Sequence, residues 1–177
     1  MESDTHADTT AVGENSLVLN FRDQSCTVTP FADSHQPMKD VPVETAAAAW
    51  DNPAMGQLVI LIFHQALHFP EMKSSLLCPN QVKSHDVGLC DDPCDPFCAI
   101  GLSDPETGTK IPFDVQGSMV GVTTRAPTFE ECQLHPHVVL TSDEPWDPHS
   151  PNLPHHSRSD EEDEAADAAL IGAIRSE

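Results

Sequence analysis

Tyrosine is absent, aromatic residues make up only 5% of the 177-residue chain, and Lys and Arg together number eight. A protein that grips phosphates needs clustered cations to displace counterions, and the eight basic residues form no cluster. With 29 acidic residues the formal net charge is −21, so the sequence argues against nucleic-acid binding by this segment and for a charge-solubilised surface. Long hydrophobic runs are missing too. The longest, Leu58–Phe63, falls far short of the roughly 20 residues that cross a bilayer as a helix, so no membrane partner is expected. The opening MESDTHADTT is polar and acidic, unlike a secretory leader, which points to an intracellular location, cytoplasmic or nuclear.

Proline, by contrast, is abundant. Sixteen prolines in a chain that is 38% apolar disfavour long helices, because Pro lacks the amide donor and blocks helix interiors. Short strands joined by turns are expected instead, giving an all-β class. Strands are predicted at Leu17–Phe21, Cys26–Pro30, Val41–Thr45, Gln57–Phe69 and residues 138–141. The Asp, Pro and Gly of DNPAMG suit a hairpin turn before the strongest of these. Residues Ala46–Trp50 read as a strand edge, and residues 109–125 as a hairpin around Gly117. A short helix is expected between Ser75 and Val82, with Pro79 in its first turn and Gly88 as a stop signal. The domain is therefore expected to span 1–141, followed by a Pro-rich linker at 142–158 and an acidic segment with a short helix at 159–177. In that last segment Ser159 and Glu162 are expected to form a capping pair, and Leu170, Ile171 and Ile174 a narrow apolar stripe.

Two groups of residues have metal-ligand chemistry. Cys90, Cys94 and Cys98, with Cys78 and His85 nearby, carry spacings within the range of zinc knuckles, but a second knuckle is missing. A zinc module built on the Cys78–Cys98 loop is one alternative; reduced thiols on a surface loop are the plainer reading. His64 and His68 in HQALH resemble the paired histidines of HExxH, yet Gln65 stands where a general-base Glu would be. On a regular strand the two would share one face about 13 Å apart, too far for one metal. No cofactor is expected. His135, His137, His149, His155 and His156 lie in Pro-rich stretches that read as solvated loop.

DTHADT at 4–9 places an Asp-Thr pair ahead of a small residue, followed by VGENS, SLVLNF and CTVTPF. Further on come LVILIFHQALHFPEMKSSLLCPNQVKSHDVGL and HVVLTSDEPWDP. This ordered series over residues 2–150 resembles the protease-like segment of copia-type retrotransposon polyproteins. The resemblance implies a retropepsin-like acid-protease barrel with Asp4 as the catalytic carboxylate. Thr5 would supply the hydroxyl that braces the dimer centre, and Ala7 would pack beneath. Each chain of such an enzyme contributes one Asp, so a homodimer is implied, acting on a polypeptide substrate. Two carboxylates that close share one proton, which pairs an acid with a base around a water.

Two departures bear on activity. His6 replaces the signature glycine and can crowd Asp4 or pair with it. Only Met1, Glu2 and Ser3 precede Asp4, so the strand that seats the loop is expected to be missing and the loop to fray, as in a truncated copy. The expectation is a remnant with little or no peptidase activity, and the other alternative is a non-catalytic acidic interaction protein.

Overall fold

A run that is apolar on both of its faces has to be covered twice, and the segment around Leu58–Phe63 is such a run. The computed structural model describes residues 1–20, 23–30, 35–53, 56–151 and 153. The N-terminal half gives strands β1 (Glu2–Ser3), β2 (Ala11–Val12), β3 (Leu17–Asn20), β4 (Ser25–Val28), β5 (Met38–Asp51) and β6 (Leu58–His68). Then follow β7 (Leu76–Leu77), helix α1 (Pro79–Lys83), β8 (Gly88–Cys90), β9 (Gly101–Ser103) and β10 (Lys110–Pro112). The chain continues with β11 (Asp114–Gln116), β12 (Met119–Gly121), helix α2 (Phe129–Leu134) and β13 (His137–Val139).

The class is predominantly β, as expected. Among the described residues ten strands belong to one sheet, with the path β11-β12-β1-β7-β2-β6-β5-β3. Strand β13 adds parallel to β6, and β4 adds to β5. That path is open rather than closed on itself, so the described strands do not make the expected barrel. A second sheet, β10-β9-β8, packs Leu102 and Ile111 into the main core.

The centre is the β5–β6 hairpin, paired from Asp51 opposite Leu58 to Val43 opposite Leu67. Ala46, Ala48 and Trp50 of β5 join Val59, Leu61 and Phe63 of β6 in the larger core cluster, while Ala47 and Ala49 meet Leu58, Ile60 and Ile62 on the opposite face. Ala46–Trp50 is thus strand, as expected, and runs up to the turn as the end of β5, buried on both faces. The alanines are good helix formers, but small side chains on both faces let large neighbours pack closely from each side, and that burial outweighs propensity.

Between Ala46/Phe63 and Glu44/Ala66 the register slips by one residue, and Gln65 takes the left-handed region at φ 52°. This bulge inserts one residue into β6 and reverses the side-chain alternation beyond it. Phe63 and Ala66 consequently both face the larger core.

Local expectations are met at several places. α1 carries Pro79 at its start, although Leu76–Leu77 of the expected helix form strand β7 instead and Gly88 opens β8 rather than ending the helix. β11 and β12 form the hairpin around Gly117, where φ is +65°. Lys110–Pro112, expected in that hairpin, pairs with β9 instead. The expected linker at 142–158 is described through 151 and at 153, and its Asp143 and Trp146 make hydrogen bonds to Gln65 and Asp8 of the domain. The acidic segment and helix expected at 159–177 lie outside the described residues.

Candidate functional site

Asp4 sits in the loop between β1 and β2, and β7 is wedged between those two strands. β7 runs parallel to β1 with Ser3 opposite Leu77, and antiparallel to β2 with Ala11 opposite Leu76. The Asp4 amide donates to the Leu77 carbonyl at 3.1 Å, and the Glu2 amide to Ser75 at 2.9 Å. On the other side Glu2 lies opposite Gly121, and the Val122 amide donates to the Met1 carbonyl at 2.9 Å. The expected fraying is therefore corrected: two residues suffice as a strand because both of their edges are paired, and Met1 is buried.

Below the loop lies a set of buried polar groups. Thr10, fully buried, donates its amide to Gln81 Oε1 at 2.9 Å, and its hydroxyl accepts the Cys78 amide at 3.1 Å. Gln81 Nε2 in turn donates to the Gln65 carbonyl at 3.2 Å. One side chain at the start of α1 thus ties the end of the Asp4 loop to the β6 bulge. Ser75 acts similarly, accepting the Gly13 amide at 3.2 Å and donating to Asn15 Oδ1 at 2.7 Å. Buried groups of this kind hold position because each lost bond leaves an unsatisfied partner.

Within the loop, Asp4 is half-buried and Thr5 is exposed. Asp4 Oδ1 accepts the His6 amide at 2.9 Å, and the Ala7 amide donates to the Asp4 carbonyl at 3.1 Å. The His6 ring is 96% exposed, with Nδ1 3.9 Å from Asp4 Oδ1, so it turns toward solvent and does not lie under the carboxylate. Its backbone amide nonetheless approaches the acid, which is what a glycine in this position would allow. Ala7 is half-buried.

A cleft of about 620 Å³ opens beside this loop. His6–Thr9 form one wall, and Gln24, Cys26 and Val28 of the β4–β5 hairpin form another. Burial, and secondarily the negative charge of Asp8, pushes the Cys26 thiol up from its ordinary value. At one end stand Trp146 and His149 from the segment after β13, residues that the sequence assigned to a linker.

The other sequence candidates are not brought to the loop as a set. His64 and His68 lie on opposite faces of the sheet, since the bulge separates them. His64 Nδ1 is 3.0 Å from Thr45 Oγ1, and His68 Nδ1 lies 2.9 Å from the buried Glu44 Oε2, at ion-pair distance but off the direction of a hydrogen bond. Consecutive strand residues point to opposite faces, so the shared face expected for the two histidines is corrected. Cys90 and Cys98 are joined as a disulfide across a Cα–Cα distance of 6.1 Å, in place of the expected reduced thiols, and Cys94 is exposed between them. That pairing takes two of the three thiolates away from a zinc ion, and Cys78 is fully buried with its thiol pushed up by burial. Among the described residues no group of three or more His, Cys, Asp or Glu is arranged to hold a metal, and no helix is long and apolar enough to cross a membrane.

The sequence reading missed the whole of α2. Its signal was present in Thr128-Phe-Glu-Glu131: the Thr128 hydroxyl accepts the Glu131 amide and the Glu131 carboxylate accepts the Thr128 amide, a reciprocal cap. It also missed Gln65 and Trp146, whose roles depend on contacts distant in sequence. Comparison with protein-family models, curated proteins and solved structures finds no match to this chain.

Proposed function

We propose that this chain is a retrotransposon-derived, aspartic-protease-like domain in which the Asp4 loop is one half of a two-chain dyad. The observation that carries the reading is the setting of Asp4: a loop between β1 and β2, hydrogen-bonded to Leu77 on the strand inserted between them. The LLCPNQ segment that the resemblance associates with that loop supplies both this strand and the start of α1. Thr5 is exposed, as a hydroxyl that reaches across to a second copy would have to be. The cleft of about 620 Å³ beside the loop is the concave surface nearest Asp4 on which a polypeptide could lie.

The open sheet edge at β11 is the wrong place for the required dimer. Strands are about 4.8 Å apart, and β1 is third from that edge, so pairing two β11 edges leaves the two β1 strands about 24 Å apart. Two carboxylates sharing a proton must lie within a hydrogen bond of each other. The second copy therefore meets this one loop to loop, at Asp4–Ala7.

Little peptidase activity is expected, for a different reason than a frayed terminus. His6 adds a side chain where the dyad must close, and Trp146, Pro148 and His149 wall one end of the cleft. The substrate class is polypeptide, with no cofactor, nucleic acid or membrane partner, in an intracellular setting. The test is peptide cleavage at acidic pH by the purified chain and its Asp4→Asn variant, alongside its mass in solution. Weak cleavage that Asp4→Asn abolishes, in a dimer, supports the reading. Cleavage unaffected by Asp4→Asn overturns it, as does a strict monomer with no cleavage even after His6→Gly.

A further inference from the structure

The segment that follows β13 does not leave the domain. Fully buried Thr141 accepts the His64 amide and donates its hydroxyl to the His64 carbonyl, both at 2.8 Å. Two residues on, the Asp143 carbonyl accepts Gln65 Nε2 at 3.0 Å. The strained φ of Gln65 and the inserted bulge thus present two backbone groups and one side chain to the passing segment. Trp146 then donates its indole Nε1–H to the Asp8 carbonyl at 2.8 Å, inside the loop that begins at Asp4. Pro148 and His149 continue along the cleft wall. An indole offers a large apolar body with a single donor, and here the donor lands on a loop carbonyl while the body stands between two cavities.

From these contacts we infer that Ser142–Ser150 is a peptide ligand of the cleft held in cis, with Trp146 as its anchor. An extended acidic peptide carrying a Trp-Asp-Pro core occupies the same place in trans only when Trp146 leaves the Asp8 carbonyl. The inference concerns regulation of the cleft in the proposed reading, but its contacts stand whether or not Asp4 is catalytic. A ligand on a short tether has an effective concentration of about 1 mM, so a free peptide whose own dissociation constant is about 0.1 mM binds the closed form roughly tenfold more weakly.

The probe is the fluorescently labelled nonapeptide Ser-Asp-Glu-Pro-Trp-Asp-Pro-His-Ser, followed by anisotropy against the full chain and its Trp146→Ala variant. The variant is expected to bind about tenfold more tightly than the wild type, and a peptide with alanine in place of its tryptophan is expected to bind neither. Cys26, which lines the cleft, gives a second readout: its alkylation, located by mass spectrometry, is expected to accelerate severalfold in the variant and to slow again with peptide present. Equal or absent peptide binding in both proteins, with unchanged Cys26 alkylation, overturns the inference. Should Trp146→Ala fail to fold by near-ultraviolet circular dichroism, Trp146→Phe keeps the ring and removes the donor, and the same two outcomes decide. Neither assay reads cleavage, so a failure here is separable from failure of the protease reading.

Discussion

Replacing Gln81 with leucine tests whether a buried amide holds the Asp4 loop in place. Gln81 is 2% exposed and makes two bonds, from Thr10 N at 2.9 Å and to the Gln65 carbonyl at 3.2 Å. Leucine has nearly the same volume, so the cavity contribution is small and the lost bonds dominate. The Thr10 amide, fully buried, loses its acceptor, and an orphaned buried donor costs about 1–3 kcal/mol. For a domain of this size each kcal/mol lowers Tm by about 2–4 °C, so a cost of about 2 kcal/mol lowers it by about 4–8 °C. Urea denaturation gives the free energy, and an unchanged m value checks that the folded state keeps its compactness. Exposed Gln116 on β11 provides the control, since Gln116→Leu is expected to stay within about 0.5 kcal/mol of wild type. Hydrogen exchange adds a local readout, with the Thr10 amide losing protection before the β5–β6 amides do. A Gln81→Leu protein as stable as the wild type, with Thr10 still protected, would refute the reasoning.

Two further outcomes are expected. Phe63 is fully buried in the larger core, so Phe63→Ala should cost about 3–5 kcal/mol, whereas Phe97→Ala, at a 71% exposed position, should change the urea midpoint little; similar losses from both would contradict the assigned core. The Arg125 guanidinium, and after it the Thr128 amide, hold the Glu131 carboxyl at about 2, below its ordinary 4.5. Because the folded value is the lower one, the support this carboxylate gives α2 is complete above pH 4.5 and is lost as pH falls through about 2. Carbon NMR of Glu131 should show that midpoint in the native chain and a return toward 4.5 in Arg125→Met, and a native midpoint already near 4.5 would remove the claim.

The strand content and several strand positions were readable from the sequence because they rest on local chemistry. Alternating or continuous apolar residues at Leu17–Asn20 and Leu58–Phe63 favour extended structure, and Asp51, Pro53 and Gly56 favour a turn before the second of these. The proline at position 79 marks a helix start for the same local reason. The capping pair Thr128 and Glu131 is equally local, since its two hydrogen bonds join residues three apart. What the sequence left open was everything set by pairing between distant segments. Whether β1 frays depends on β7 and β12, more than 70 residues away, and not on its own two residues.

The bulge shows the physical reason most directly. A regular strand would put His64 and His68 on one face, but a single residue inserted at Gln65 reverses the alternation and parts them. Nothing in HQALH announces that insertion, because it is stabilised from outside by Thr141, Asp143 and Gln81. The same holds for residues 142–150, whose prolines and charges read as a linker. Composition reports what a segment can do alone, and only tertiary contact decides that a tryptophan in it reaches the Asp8 carbonyl.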